Sequence, residues 1–544
     1  MSEINLEHFK RAAIEVGENG DNDTLPFDTD NTFVQNCIDD LAALAFSFFQ
    51  SLEGMGKNEA RKKLNSLQVF SERLLAPTGS SGFRITTKVH PFWTVYFNGL
   101  GIALAEKLEP NRSETAHSYR FLSEGKNLFD RARSWRAFLQ ATTHDSAINL
   151  EGAVVVRTDI SSFYEHIYHH RLENCVGDFF IESSTIATQV DKLLNKFSAG
   201  RSFGLPVGGQ CSRILAETLM SSIDRSLTEK GIVWHRYVDD FVLIAASKQD
   251  AYTSLSVLSN ELADYGLSLN RSKTIMLSAR HYKEYVDAQL FSAEDESKDL
   301  REIDLHFDPY SDNPIGDYTQ LKETVSSLNV PMLLNLELQK AQPEPFLVTQ
   351  ISRTLKFHEP QTAIQLCETL LDPSNLHSFR ASWSTIMRGV TSIRLNEANS
   401  VIFEELDKLI DQIPSHSSHL LSAESNLLFY LKLIKSKKTE QRASFAYESY
   451  QASQSLTVKV ACIECWRAWG DRSRFLNLRN RWQTLGEQEQ RIVWLAFGHL
   501  GDEGRHSKQQ VKLSIPNVWS LGIEAEREIE FYAIYKQWAS NACR

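Results

Sequence analysis

Asp239 and Asp240 are adjacent carboxylates set between two apolar runs, Ile232-Val233-Trp234 and Phe241-Val242-Leu243-Ile244. The pattern predicts a β-hairpin with acids at its tip. Unpaired carboxylates held side by side repel one another, and a cation offsets that repulsion. A hard, oxygen-seeking ion such as Mg²⁺ suits them. A lone Asp-Asp is by itself an ordinary solvated turn, so a third acid carries weight. Upstream, Ala153-Val154-Val155-Val156-Arg157-Thr158-Asp159-Ile160 is a β-branched run of strand character that brings Asp159 to its end. On a neighbouring strand, Asp159 would meet Asp239.

Three further segments surround these acids. Ser161-Ser162-Phe163-Tyr164-Glu165-His166-Ile167 reads as a strand passing into a helix. Gly204-Leu205-Pro206-Val207-Gly208-Gly209 is a Gly/Pro turn before the helical Ser212-Arg213-Ile214-Leu215-Ala216-Glu217. Gly266-Leu267-Ser268-Leu269-Asn270-Arg271-Ser272-Lys273-Thr274 comes last. In this order the set resembles the palm motifs of reverse transcriptases: a first acid, a Leu-Pro-x-Gly loop, a Tyr-x-Asp-Asp hairpin and a Gly-Leu…Lys-Thr segment. The resemblance spans residues 80 to 280.

It implies an α+β right-hand polymerase, with fingers and palm, that joins a 3′-hydroxyl to a deoxynucleoside triphosphate. Such an in-line displacement is served by two metal ions about 3.5–4 Å apart. Asp159 and Asp239 are then the bridging ligands, with Asp240 adding charge. The ions are Mg²⁺, with Mn²⁺ as the alternative. In the family a lysine near Lys273 protonates or shields the leaving pyrophosphate; a solvated loop lysine is the other reading. Tyr164, five residues after Asp159, matches the aromatic gate that excludes a 2′-hydroxyl, unless it packs in the core beside Phe163. Ile160, Pro206 and Gly208 fall in the same nucleotide-binding set. Arg120, in His117-Ser118-Tyr119-Arg120-Phe121, resembles the fingers arginine, whose planar fork suits phosphate. With Lys126, Arg131, Arg133, Phe129 and Trp135-Arg136-Ala137-Phe138 it forms a basic, aromatic-interleaved stretch suited to a single strand, or else a solvated face.

The chain departs from the common pattern after Leu205-Pro206, where Val207-Gly208 replaces Gln-Gly and Ser212-Arg213 replaces Ser-Pro. Losing the glutamine removes a polar group near the nucleotide and template base. With Arg157 to Tyr164, this variant looks like the bacterial defence-associated and abortive-infection reverse transcriptases. That resemblance implies DNA synthesis in phage defence, in some members without a template or from the protein's own hydroxyl. A noncoding-RNA-templated enzyme and a scaffold that binds RNA remain the alternatives. The implied partners are deoxynucleoside triphosphates, nascent single-stranded DNA and, for the templated alternative, a noncoding RNA.

A net charge of −11 and a pI near 5.9 exclude a broad nucleic-acid platform, so contact must be local. No apolar stretch approaches the roughly 20 residues that span a bilayer, and a cytoplasmic protein without membrane contact is expected. Seven scattered cysteines exclude a disulfide framework. Cys462-Ile463-Glu464-Cys465 lacks a second ligand pair and reads as buried thiols, and His169-His170 as surface or core. The expected divisions are a helical segment over 1–80, fingers and palm over 81–290, a linker over 291–316 and an all-α, helical-repeat-like domain over 317–544. In the last, Val401 to Ile410 and Leu427 to Ile434 show helical spacing. That domain is expected to close over the product and mediate homo-oligomers. Tyr532 and Tyr535 are two of many possible priming hydroxyls.

Overall fold

A computed structural model describes residues 3–79, 82–180, 185–291, 297–303, 305, 314–523 and 530–542. Its centre is an antiparallel sheet of four strands in the order β4-β5-β3-β6: β3 (Val154–Asp159), β4 (Val233–Tyr237), β5 (Asp240–Ala245) and β6 (Ile275–Ser278). The β-branched run of β3 is apolar on both faces because both faces are covered. Val154, Val156, Phe241 and Leu243 point into the main core, toward the helices Gln210–Glu229 and Lys248–Asp264. Val155, Val242 and Ile244 point the other way, into a second core with Phe138 and Leu139 of the Trp135–His144 helix and Tyr282 and Val286 of the Ala279–Phe291 helix. The sheet is thus clamped between two hydrophobic layers.

A two-stranded hairpin, β1 (Ser71–Thr78) and β2 (Gly82–Val89), precedes the sheet. The segment expected to be helical to residue 80 is therefore helical only to Ser66, where helix Lys57–Ser66 ends. Alternation through Leu74 and Ala76, both buried, is the strand signal there. Nor do the first helices stand apart. Leu6–Asn19 and Ile38–Glu53 pack on Pro91–Leu108, which is buried almost all round. Phe9 and Phe48 reach Tyr96 of that helix, with ring centroids 5.5 and 5.1 Å away.

After β6, the described residues form helices alone. Helices 345–354, 383–395, 424–434, 456–468 and 487–497 pack each on the next in one row, while 360–371, 403–416 and 440–452 line a second. The C-terminal region is thus helical, as expected, with its helices in two rows. The expected linker carries a short helix, Lys298–Glu302, with Leu300 fully buried; its residues 292–296, 304 and 306–313 lie outside the described residues. Cys462 and Cys465 are buried, unpaired thiols. No helix among the described residues is long and apolar enough to cross a membrane.

Residues 21–30 tie the array to the strand-bearing part of the chain. The buried Lys88 ammonium of β2 bonds Asp21 at 2.9 Å and Asp28 at 2.6 Å. Asp30 takes both Nη atoms of the buried Arg491, at 2.5 and 3.0 Å. Thr29 N–H donates to Glu464, Lys432 Nζ donates to the Phe27 carbonyl, and Ser425 Oγ donates to the Thr24 carbonyl. Burial alone would raise the Asp30 carboxyl, but Arg491 and Lys88 hold it below its ordinary range. Removing one partner of a buried pair strands the other charge and costs roughly 3–5 kcal/mol. Arg491→Met is expected to lower unfolding free energy by about that much in urea titrations; a loss below about 1 kcal/mol would mean that Lys88 alone holds Asp30.

Candidate active site

Tyr237 pairs with Asp240 across the β4–β5 hairpin, leaving Val238 and Asp239 as its two-residue turn. Val238 lies at φ +57°, a left-handed conformation that is an outlier for a β-branched residue. Asp159, the last residue of β3, stands in register with Asp240 and not, as the sequence suggested, with Asp239. Asp239 is reached through the backbone, where Ile160 N–H donates to its carbonyl at 3.1 Å. The three acids thus share one end of the sheet.

Their environment is short of positive charge. Burial, then repulsion from Asp239 and Asp159, pushes the Asp240 carboxyl up to about 6. Burial and the Asp159 charge also raise Asp239. Asp159 is 6% exposed; its Oδ2 accepts from Lys273 Nζ at 2.6 Å, while its Oδ1 is buried with no partner. Lys273 is held there by the segment around it, since Asn270 N–H donates to the Asp159 carbonyl at 2.8 Å and the Thr158 and Thr274 hydroxyls bond at 2.7 Å. The bond to Asp159 raises the Lys273 ammonium, so it is a firmer charge and a weaker acid. Among the described residues, no three His, Cys, Asp or Glu side chains converge as placed on a single metal position. An all-carboxylate donor set with an orphaned Asp159 oxygen and two acids raised by burial and mutual repulsion nevertheless fits a hard divalent cation.

Beside the acids lies an aromatic wall. Phe163 is buried, whereas Tyr164 is half-buried, with its side chain hydrogen-bonded to that of Tyr119, and burial pushes both hydroxyls up. The Arg213 guanidinium lies 5.1 Å from the Tyr119 ring centre and bonds Gln210 at 2.9 Å and Asp23 at 2.5 Å. Leu205 N–H donates to the Tyr164 carbonyl, and His169 Nε2 bonds the Gly204 carbonyl at 2.8 Å, so the Gly/Pro turn is fastened at its entry. His169 is a buried positioning group and His170 is exposed. Pro206 lines a cavity of about 210 Å³ with Arg73, Arg201, Glu165 and His166. The Val207 carbonyl accepts from Asn22 Nδ2 at 2.8 Å and from Thr86 Oγ1 at 3.2 Å. Gly208, at φ +98°, sits so close to this segment that a Cβ would lie 2.1 Å from Asn22 Oδ1.

Two sequence assignments need correction. The Ile160 side chain is only 1% exposed, so it packs in the core and offers its backbone to the Asp239 turn instead of contacting a nucleotide. Arg120 is committed to protein: its guanidinium bonds Glu109 at 2.5 Å and the carbonyls of Ser113 and Ala116, which brace the 109–121 segment. Of its basic neighbours, Arg133 is paired with Glu114. Trp135 and Phe138 pack on Tyr237, with ring centroids at 5.4 and 5.9 Å. Sequence reasoning missed Tyr119 and Arg213 as parts of the wall, and Asn22 and Asp23 as its cover; the replacement of Ser-Pro by Ser212-Arg213 was the available signal.

Residues 100–300 match the family model for reverse transcriptase (RNA-dependent DNA polymerase). The chain therefore carries a reverse-transcriptase domain, and such domains use divalent metal ions. No curated protein matches the chain. Among solved structures it is similar to the telomerase from Candida albicans in complex with a TWJ fragment of telomeric RNA, at 13% identity and TM-score 0.29, covering 64% of this chain and 65% of that one. It is similar also to apo telomerase from Candida tropicalis, at 13% identity and TM-score 0.31, covering 67% and 68%. The chain spans about two thirds of the length of these telomerases.

Asp240 titrates near 6 when folded and nearer 3.9 when unfolded, so the folded state binds the proton more tightly. The stability this confers is full at low pH and is lost as pH rises through about 6. In chelator, thermal melts of the wild type are expected to fall relative to Asp240→Asn as pH rises from about 4 to about 6. Added Mg²⁺ should reverse the trend above pH 6. Parallel curves for the two proteins would show that Asp240 is not raised.

Proposed function

We propose that this reverse-transcriptase domain polymerises deoxynucleotides at Asp159, Asp239 and Asp240, and that its DNA product serves antiphage defence. The observation that carries the chemistry is the unpartnered, buried Asp159 Oδ1 beside two carboxyls raised by burial and by their neighbours' charge, at the end of adjacent strands. These three residues would hold two Mg²⁺ ions, with Mn²⁺ as the alternative. Bound there, the ions would stabilise the attacking and leaving oxygens. In the reaction a 3′-hydroxyl oxygen bonds to the α-phosphorus, the bond to the bridging oxygen breaks, and pyrophosphate leaves.

The chain's own groups serve this reaction in separate ways. Lys273 supplies a fixed positive charge beside Asp159, suited to neutralising pyrophosphate as it departs. Tyr164, half-buried and steadied by Tyr119, places a ring against the sugar and excludes a 2′-hydroxyl. Pro206 and the backbone around Gly208 shape the wall opposite. Template independence is supported by Val207, which lacks the polar head of glutamine and whose carbonyl is already taken by Asn22 and Thr86. Protein priming needs an exposed hydroxyl. Tyr535 does not qualify, being wholly buried with its hydroxyl donating to the Arg491 carbonyl. The defence role rests on the Leu205-Pro206-Val207-Gly208 and Ser212-Arg213 variant of the family pattern.

A noncoding-RNA template is the second reading, and one feature favours it: the cavity at Pro206 carries Arg73 and Arg201, both exposed, a pairing suited to a phosphodiester strand.

Nuclease-treated protein, Mg²⁺ and each labelled deoxynucleotide, without primer or template, separate these readings. Label that migrates with protein until protease digestion supports template-free, protein-linked synthesis, and label that appears only when RNA is restored supports the second reading. In whichever condition supports synthesis, Asp239→Asn is expected to reduce it by on the order of 10³-fold or more. Tyr164→Ala is expected to admit ribonucleotides in the same assay; unchanged sugar discrimination would remove Tyr164 from the gate.

A further inference from the structure

We propose that Arg236 is a positioning residue that, with Ser118 and Glu217, clamps the backbone of Val238 and so holds Asp239 and Asp240 in their metal-binding arrangement. This rests on the three-acid site proposed above.

Arg236 precedes the acidic turn on β4 and is fully buried. All five of its N–H donors are used. Nε and Nη2 bond the two oxygens of Asp224 at 2.9 and 2.6 Å. Nη1 and Nη2 bond the two oxygens of Glu217 at 3.2 and 2.9 Å. The remaining Nη1 hydrogen goes to the Val238 carbonyl at 2.9 Å. Glu217 also accepts from Arg112 Nη2 at 2.6 Å and from Ser118 Oγ at 2.5 Å. Ser118 Oγ in turn accepts from the Val238 N–H at 2.9 Å. Both backbone polar groups of Val238 therefore end on one buried cluster in which Arg236 and Arg112 meet Glu217 and Asp224.

Val238 is where such a clamp matters. A β-branched residue at φ +57° sits in a conformation its side chain opposes, and it persists only where the surroundings over-determine it. Relaxation of Val238 would rotate the peptide that leads into Asp239 and change the direction of both carboxylates. Arginine suits the task because its rigid fork fixes three partners in one plane, which a lysine cannot do. Backbone pairing completes the arrangement. Arg236 N–H donates to the Thr115 carbonyl at 2.8 Å and its carbonyl accepts from His117 N–H at 2.9 Å, which delivers Ser118 to the turn and Tyr119 to the nucleotide wall.

A purely structural Arg236 would affect stability alone, so the test needs a readout of metal and turnover. Full-length Ser118→Ala, Arg236→Lys and the double variant Ser118→Ala/Val238→Gly are compared with the wild type in Mg²⁺-dependent deoxynucleotide incorporation, thermal melting and Mn²⁺ binding by water-proton relaxation. Ser118→Ala is expected to stay folded while kcat falls and half-saturating Mg²⁺ rises, each about tenfold, with KM for the nucleotide nearly unchanged. Arg236→Lys should lose more. Glycine at 238 tolerates positive φ without a clamp, so the double variant should regain part of the lost metal affinity. Folded Ser118→Ala and Arg236→Lys proteins with wild-type kcat, Mg²⁺ dependence and Mn²⁺ affinity would overturn the proposal. If the wild type makes no product but binds Mn²⁺, weaker binding by the clamp variants upholds the clamp while the polymerase reading fails. A wild type that neither synthesises nor binds Mn²⁺ overturns both.

Discussion

Like charges directly opposite one another on adjacent strands destabilise a sheet, and Asp159 faces Asp240 in that relation with Asp239 beside them. The surrounding structure opposes this repulsion. Two hydrophobic layers hold β3 and β5 so that the strand ends cannot splay. The Lys273 ammonium takes one oxygen of Asp159. Behind the turn, the 210–229 helix supplies Glu217 and Asp224, which engage Arg236 and, through it, the Val238 carbonyl. The sheet core thus provides the stability that the acidic end consumes, and one oxygen of Asp159 is left there without a partner.

The parts legible in the sequence were those with short-range causes. A β-branched run ending on an acid, an acidic tip between apolar strands, and a Gly/Pro turn before a helix each follow from local propensity and periodicity. The register was not legible. Whether Asp159 meets Asp239 or Asp240 depends on how many residues the turn consumes, and that depends on the left-handed Val238, which nothing in valine's own preferences announces. Ile160 was misread for a related reason: Thr158, Asp159 and Ile160 are all buried, so no alternation of exposure marks which of them faces the site. β1 was missed because its alternation is brief and follows a run of true helices.

Long-range electrostatics were the least visible. Arg120 has the residue type of a phosphate ligand, yet Glu109 and two carbonyls claim it. Asp21, Asp28 and Asp30 look like an acidic loop, but their partners lie in β2 and in the helical array. Asn22 and Asp23, between them, touch Val207, Gly208 and Arg213. Charge patterning along the chain reports neighbours in sequence, whereas each of these pairs is set by tertiary packing. The helical array is therefore connected to the Gly204–Gly209 turn through ten residues that no motif marks.

That connection imposes an order on biosynthesis. Asp30 leaves the ribosome early and its counter-charge, Arg491, comes 461 residues later. Until then Asp30 lacks the guanidinium that claims it, and residues 21–30 rest on earlier partners such as Lys88, Thr86 and Arg213. A ribosome-bound chain can already contain Asp159, Asp239 and Asp240 and still lack Arg491. The last of the charges that fix residues 21–30 is thus supplied only once the helical array has been made.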